Sequence, residues 1–258
     1  MTKRVTVITG ASSGIGAELA RIFAAHGHST VLVARREDRL NQLADEIAAT
    51  GKPRPAVIVC DLSEPGACDR IDAALKDMNA EVETVVNNAG YGLFGEAAEL
   101  DRAQQLAMVD LNVRVLTDLT LRFADSLIRH RGGILNVASI ASFLPGPRMA
   151  VYYATKAYVL SFTEAMRGEL GPKGVRVTAL CPGTVPTEFQ GVAGFKPGLD
   201  SAVLNLSAAA VARAGYRGLM SNKRLVLPGV GVRMIPFMLR FAPRSLVLAS
   251  VARVQQKR

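Results

Sequence analysis

Tyr152 and Lys156 stand four residues apart in the sequence, with Ser139 a short way upstream. A phenol whose ordinary pKa is about 10 is a poor acid or base near neutrality. A neighbouring ammonium stabilises the phenolate and draws that pKa towards the working pH, so a Tyr–Lys pair can move a proton to or from an oxygen. The spacing works on a helix, where residues four apart share a face. Tyr153 is a rival phenol, but the residue four further on is Ala157. Taken alone the pair is a weak signal, because such spacing is common on helix surfaces.

A second constellation lies near the N-terminus, in the run Thr9-Gly10-Ala11-Ser12-Ser13-Gly14-Ile15-Gly16. A diphosphate needs backbone N–H groups at a helix N-terminus and glycines that let the backbone come close. Strand, glycine loop and helix in that order provide this, although Gly10-x-x-x-Gly14-x-Gly16 is not the usual G-x-G-x-x-G spacing. The plain alternative is an ordinary glycine-rich turn. At the end of the second strand, an acid would select NAD by holding the adenosine ribose and repelling a 2′-phosphate. Here Ala34 is followed by Arg35 and Arg36, with Arg39 one helical turn on. Guanidinium groups hold phosphates through paired charge-assisted bonds, and they oppose the dipole of a helix N-terminus unless an anion is near. Ser12 could add a hydroxyl. The expected cofactor is NADP(H), with NAD(H) possible; the alternative is that Arg35 and Arg36 are solvated helix-start residues.

The elements that must position these groups follow a repeating pattern. Short β-branched runs at Val5–Thr9, Thr30–Ala34, Ala56–Cys60, Thr84–Asn87, Ile134–Ala138 and Arg176–Leu180 read as strands. Between them, helical spacing predicts helices at 14–25, around Leu40, Leu43 and Ile47, at about 64–78, over a long stretch at 102–129, and at 151–170. Continuous apolar runs rather than alternating ones imply a parallel sheet covered on both faces. The expected fold is α/β, a Rossmann-like doubly wound parallel sheet of about seven strands in a single domain spanning 1–258. Ser139 then falls at the carboxyl end of a strand, where such sheets bind ligands. After Cys181-Pro182-Gly183 the pattern loosens; a helix at about 201–220 and a short strand at 224–227 are expected. Residues 186–222 read as a substrate loop and helix, with Ala193, Phe195, Leu199, Val203 and Leu206 as an apolar pocket wall or as core. Cys181 reads as a small buried strand-end residue, and Asn87 as a brace for the sheet. The histidines, His26, His28 and His130, are too scattered for a metal site.

In sequence order these motifs resemble the short-chain dehydrogenase/reductase family. They are the glycine loop, Asp61, Asn87-Asn88-Ala89-Gly90, Asn112, Ser139, Tyr152-Tyr153-Ala154-Thr155-Lys156 and Pro182-Gly183, covering about residues 4 to 190. The resemblance implies that Tyr152 exchanges a proton with a carbonyl or alcohol oxygen that Ser139 orients. Lys156 would bind the nicotinamide ribose and depress the Tyr152 pKa. Asn112 would kink the long helix and hold a water that relays protons to Lys156. Asp61 would meet the adenine, Asn88, Ala89 and Gly90 would line the cofactor, and Pro182, Gly183 and Thr187 would contact its nicotinamide end. Leu62 and Val185 complete the implied lining. Thr155 stands where the family commonly has Ser. The implied activity is NADP(H)-dependent interconversion of a carbonyl and a secondary alcohol, as a reductase of a lipophilic ketone such as a ketoacyl compound. The alternatives are an NADP(H)-binding regulator without turnover, or an epimerase or dehydratase on the same scaffold. A homodimer or homotetramer is implied by analogy, through the helices at 102–129 and 151–170.

Composition sets the remaining bounds. With 258 residues, 49% hydrophobic and 21% charged, the chain is neither disordered nor fibrous. Cys60, Cys68 and Cys181 cannot build a disulfide framework, and Met1-Thr2-Lys3-Arg4 leads straight into an apolar strand. A cytoplasmic protein is expected, with no apolar run long enough to span a membrane. The net charge of +9 is localised: residues 201 to 258 hold 10 of the 31 Lys and Arg and none of the 22 Asp and Glu. The tail, 228–258, surrounds apolar segments with basic residues. It reads either as a peripheral contact with an anionic membrane, or a cover for a lipophilic substrate, or as packing against a partner subunit. Aromatic interleaving of the kind that stacks bases is absent, so no nucleic-acid partner is expected.

Overall fold

In the computed structural model, which describes residues 2–193 and 206–256, seven parallel strands form one sheet in the order β3-β2-β1-β4-β5-β6-β7. The strands are β1 (Lys3–Thr9), β2 (Thr30–Ala34), β3 (Ala56–Val59), β4 (Ala80–Asn87), β5 (Gly133–Val137), β6 (Arg176–Leu180) and β7 (Leu225–Val226). Every residue of β2 and β5 is buried, as continuous β-branched runs require when helices cover both faces. Side chains along β1 alternate between two cores. Val5 and Val7 join α3 (Ala67–Asp77), α5 (Leu116–Arg122), α6 (Ala124–Arg129) and α7 (Ala150–Leu170) on one side. Ile8 joins α1 (Gly14–Ala25), α2 (Glu37–Ala49) and α9 (Ala208–Met220) on the other.

The long helix expected at 102–129 is divided. Helix α4 (Arg102–Val109) passes into a π-helical turn at Asp110–Val115 before α5, and Phe123 separates α5 from α6. The wide turn carries Asn112, whose amide donates to Tyr91 O (2.9 Å) and Thr155 Oγ1 (3.1 Å) and accepts from Tyr91 N (3.1 Å). A side chain tied this closely to a neighbouring loop accounts for the widened turn. The helix expected from 201 starts at Ala208, where the Ser207 hydroxyl caps Ala210 N; residues 194–205 lie outside the described residues, Phe195, Leu199 and Val203 among them. Leu206 packs against the α1/α9 core. The short helix α8 (Glu188–Ala193) follows β6, and the tail forms α10 (Val230–Leu239) and α11 (Arg244–Gln256).

Four buried polar side chains brace the centre of the sheet. Asn87 on β4 donates to Asn136 Oδ1 on β5 (2.9 Å) and Thr120 Oγ1 on α5 (3.0 Å), and Asn136 donates to Thr163 Oγ1 on α7 (2.9 Å). Because all four are shut away from water, removing one leaves its partners unsatisfied. Asn136→Ala is expected to lower the unfolding free energy by about 2–3 kcal/mol. Urea denaturation measures this, the midpoint falling while the slope stays constant.

Candidate active site

The strand order reverses between β1 and β4, whose following helices leave to opposite faces and open a crevice at the carboxyl ends. Thr9, the last residue of β1, closes the base of that crevice. Its hydroxyl donates to Val86 O (3.3 Å) and accepts from the N–H groups of Asn88 and Ala89 (both 3.0 Å). Asn88 returns its amide to Thr9 O (2.9 Å) and Gly10 O (3.2 Å). Gly10 has φ +65°, and a Cβ there would lie 2.7 Å from Asn88 Nδ2, so only glycine fits. A Cβ on Gly16 would collide with the Gly10 carbonyl. Helix α1 starts behind Ser13 with no side-chain cap and no acid in its first turn. Its leading N–H groups around Gly14, Ile15 and Gly16 are thus free of side-chain partners, a cradle that suits a diphosphate.

The arginines divide. Arg36 Nε and Nη2 both approach Ser12 Oγ (3.3 and 3.1 Å), and Nη2 pairs with Glu188 at 2.8 Å. Arg39 lines the same surface cleft of about 340 Å³ as Ser12, Ser13, Gly14 and Thr187. Arg35 turns instead to Asp61, 3.7 Å away. Burial raises the Asp61 carboxyl, but Ser63 and Arg35 outweigh it and hold the group below the ordinary range. Leu62 beside it is buried.

Across the crevice, Ser139 lies two residues beyond β5 and caps a short 3₁₀ turn, its hydroxyl accepting from Ala141 N (3.1 Å). That turn is fixed to the next strand end by Ile140 N donating to Pro182 O (2.9 Å). Tyr152 and Lys156 share the buried face of α7. Gly90 brings the parts together: a Cβ on it would stand 2.7 Å from Asn112 Oδ1 and 3.5 Å from Lys156 Nζ. The Lys156 ammonium donates to Val137 O (2.9 Å) and lies 5.9 Å from the Tyr152 ring centre. Burial lowers the Lys156 pKa to about 8. Burial likewise raises the Tyr152 phenol, and a hydrogen bond with Ser139 offsets only part of the rise. The expected depression of the phenol by the lysine is therefore not found. Lys156 is itself desolvated, and its proton points to a backbone carbonyl rather than to the ring.

Apolar side chains surround the phenol. Met108, Ala141 and Met149 are buried with Tyr152, and Tyr91, Leu93, Phe94 and Phe189 pack around them. Phe189, on α8, lies 5.5 Å from the Tyr152 ring. Val185 is buried, and Thr187 packs over Gly14. The tail reaches the rim of this region: buried Gln255 donates to Tyr153 Oη (3.0 Å), and Arg148 donates to Gln255 O (3.3 Å) while its guanidinium stacks 4.5 Å over Phe94. Cys181 is buried, and burial pushes its thiol up to about 12, the state of an inert thiol. Among the described residues, no group of three or more His, Cys, Asp or Glu is placed to hold a metal.

A profile of the short chain dehydrogenases matches residues 4–194. The chain belongs to the short-chain dehydrogenase/reductase family. It is 38% identical over 188 residues to sulfoacetaldehyde reductase 2 of Chromohalobacter salexigens, covering 72% of this chain and 74% of that one. A short-chain dehydrogenase from Sphingobium yanoikuyae, solved in complex with NADPH, superposes with a TM-score of 0.82 at 30% identity, covering 95% and 94% of the two chains. The bulky-bulky ketone specific alcohol dehydrogenase from Comamonas testosteroni gives 0.79 at 29% identity, with the same coverage. As a member of this family, the chain is an NAD(P)-dependent oxidoreductase acting on carbonyl and alcohol groups.

Within this short-chain dehydrogenase, three residues at the site carry no signal in the motif pattern. Thr9 opens the glycine motif, but its clamping role across the crevice is seen only in the fold. Glu188 and Phe189 sit on a helix too short for periodicity to reveal, and Gln255 lies far away in sequence. The buried lysine gives a direct test. Between about pH 8 and the ordinary lysine value of 10.5, unfolded Lys156 keeps its proton while the folded side chain releases it. Unfolding then takes up protons, so this group's contribution to stability rises with pH through that window and is at its lowest below pH 8. The unfolding free energy of the wild type minus that of Lys156→Met is expected to rise across the window and to be flat below it. Denaturation at stepped pH reads the difference, and a flat line throughout would contradict the buried, partner-poor lysine.

Proposed function

We propose that the chain is an NADP(H)-dependent reductase of lipophilic ketones. The observation that carries this reading is the Tyr152 hydroxyl, hydrogen-bonded with Ser139 and set among apolar side chains. When bound, the cofactor would supply hydride chemistry, and the protein's share is position and electrostatics. Tyr152, held in its protonated form by burial, would be the group that gives a proton to an oxygen gaining negative charge. Ser139 holds that oxygen by a hydrogen bond. Lys156 would bind the nicotinamide ribose and replace the tyrosine's proton, and Asn112, locked in its π-turn, would fix Gly90 and the neighbouring backbone. The cradle of Gly10, Ser12, Ser13, Gly14, Ile15 and Gly16 fits the diphosphate, with Asp61, Leu62, Asn88 and Ala89 towards the adenine and Pro182, Gly183, Val185 and Thr187 towards the nicotinamide. A 2′-phosphate would lie against Ser12, Arg36 and Arg39, while the Asp61 contact makes Arg35 secondary. The NADPH complex of the Sphingobium relative and the bulky ketone specificity of the Comamonas one support this assignment. Residues 186–222 would form the substrate side of the pocket.

Tyr152→Phe should bind NADPH as the wild type does in calorimetry and lose about 10²–10⁴-fold in ketone turnover. Retained turnover would remove Tyr152 from the chemistry. Arg36→Ala should weaken NADPH about tenfold or more while leaving NADH nearly unchanged.

We further propose a homodimer or homotetramer joined through α4, α5 and α7, where Leu106, Leu121 and Tyr158 are exposed. No described helix is long and apolar enough to cross a membrane. The tail, 228–258, is proposed to rest on an anionic bilayer. Helix α10 and the turn after it expose Val230 (79%), Phe237 (56%), Met238 (62%) and Phe241 (76%). Exposed Arg233, Arg240, Arg244 and Arg253 accompany them, with no acid after residue 200 to oppose a negative surface. The protein should co-sediment with phosphatidylserine vesicles at low salt, and less so when Phe237 and Phe241 are changed to Asp. Failure of the wild type to co-sediment would exclude this role.

A further inference from the structure

Helix α8 brings a carboxylate to the group that would read the cofactor's phosphate. Glu188 Oε2 lies 2.8 Å from Arg36 Nη2, the nitrogen that also approaches Ser12 Oγ at 3.1 Å. The edge of the guanidinium that faces the phosphate loop is thereby shared between one hydroxyl and one carboxylate. Arg36, helped by Ser13 and Arg39, holds the Glu188 carboxyl below the ordinary range, so it is an anion at neutral pH. The pair is about half exposed on both sides, and such pairs contribute little to stability. Its consequence lies in what it excludes. Two anions cannot share one guanidinium edge without repulsion, and the 2′-phosphate is the more highly charged of the two.

We propose that Glu188 weakens the NADP(H) preference of this enzyme from the substrate side, competing with the 2′-phosphate of NADP(H) for Arg36. This rests on the assignment of Arg36 to that phosphate. An acid at the end of β2 would discriminate against NADP(H) from the adenosine side; this chain has Ala34 there and supplies its acid from α8 instead. NADP(H) must displace Glu188 to gain Arg36, whereas NAD(H), lacking the phosphate, leaves the pair intact. The result is an enzyme whose hold on NADP(H) is weaker than its arginines alone would give. Glu188 is followed by Phe189, which packs on Tyr152, and preceded by Thr187, which packs over Gly14. The rival carboxylate therefore belongs to the segment that walls both the phosphate cradle and the catalytic pocket.

The experiment is calorimetric titration of NADPH and NADH into the full-length wild type, Glu188→Gln, Arg36→Ala and the double variant. Glu188→Gln keeps the size of an exposed side chain, so its folding is not at issue. It should tighten NADPH about fivefold, the upper end of what an exposed ion pair is worth, and change NADH less than about twofold. In the Arg36→Ala background the same substitution should give no such gain. If Arg36→Ala weakens NADPH but Glu188→Gln leaves it unchanged, the competition is overturned while the phosphate assignment stands. Equal tightening of both cofactors also overturns it, pointing to general access through α8. If Arg36→Ala does not weaken NADPH at all, the phosphate assignment itself fails, and the proposal with it.

Discussion

A single hydroxyl holds the crevice of this enzyme in shape. Thr9 accepts two backbone N–H groups from the segment after β4 and donates to a carbonyl within that strand, so the ends of β1 and β4 are locked together where their helices part. Both halves of the site depend on that lock. Its near side sets the course of Gly10 to Gly16 and the direction in which α1 presents its N–H groups. Its far side sets Ala89 and Gly90, and through Gly90 the spacing to Asn112 and Lys156. Parallel strands allow this because all their carboxyl ends lie at one edge of the sheet.

Around the chemical centre, burial dominates. The same desolvation that lowers Lys156 to about 8 raises Tyr152, so the pair rests as a protonated phenol beside a lysine that gives up its proton readily. The protonated phenol is the form that reduction requires, since there the phenol must donate. In the structure the Lys156 ammonium donates to the Val137 carbonyl. The polar brace of Asn87, Asn136, Thr120 and Thr163 lies directly beneath, fixing β4 and β5 to α5 and α7 so that Ser139 and Tyr152 keep their separation.

Local patterns in the chain revealed most of this arrangement. Glycine spacing after a β-branched run, a Tyr–Lys pair on one helical face and a serine at a strand end are each written within a few residues. Several features needed the third dimension. Arg35 and Arg36 are neighbours, and only the extended backbone at Arg36, the N-cap of α2, decides which one meets Ser12. The π-turn at Asn112 arises from bonds to Tyr91 and Thr155, far off in sequence, so no helical periodicity could announce it. Ser207 caps α9 in the fold, whereas the apolar run before it suggested an earlier start. Spacing suggested that Lys156 would depress the Tyr152 pKa, but it carries no measure of burial, and burial reversed the sign.

If this crevice delivers hydride from NADPH to a carbonyl, label must follow it. Transfer of deuterium from NADPH labelled at the reactive ring carbon to a bulky lipophilic ketone, followed by mass spectrometry of the alcohol, reads that step. One deuterium on the carbinol carbon for each NADPH consumed is the result expected. NADPH binding without label transfer to any of a panel of such ketones would contradict the account and leave a cofactor-binding protein without turnover.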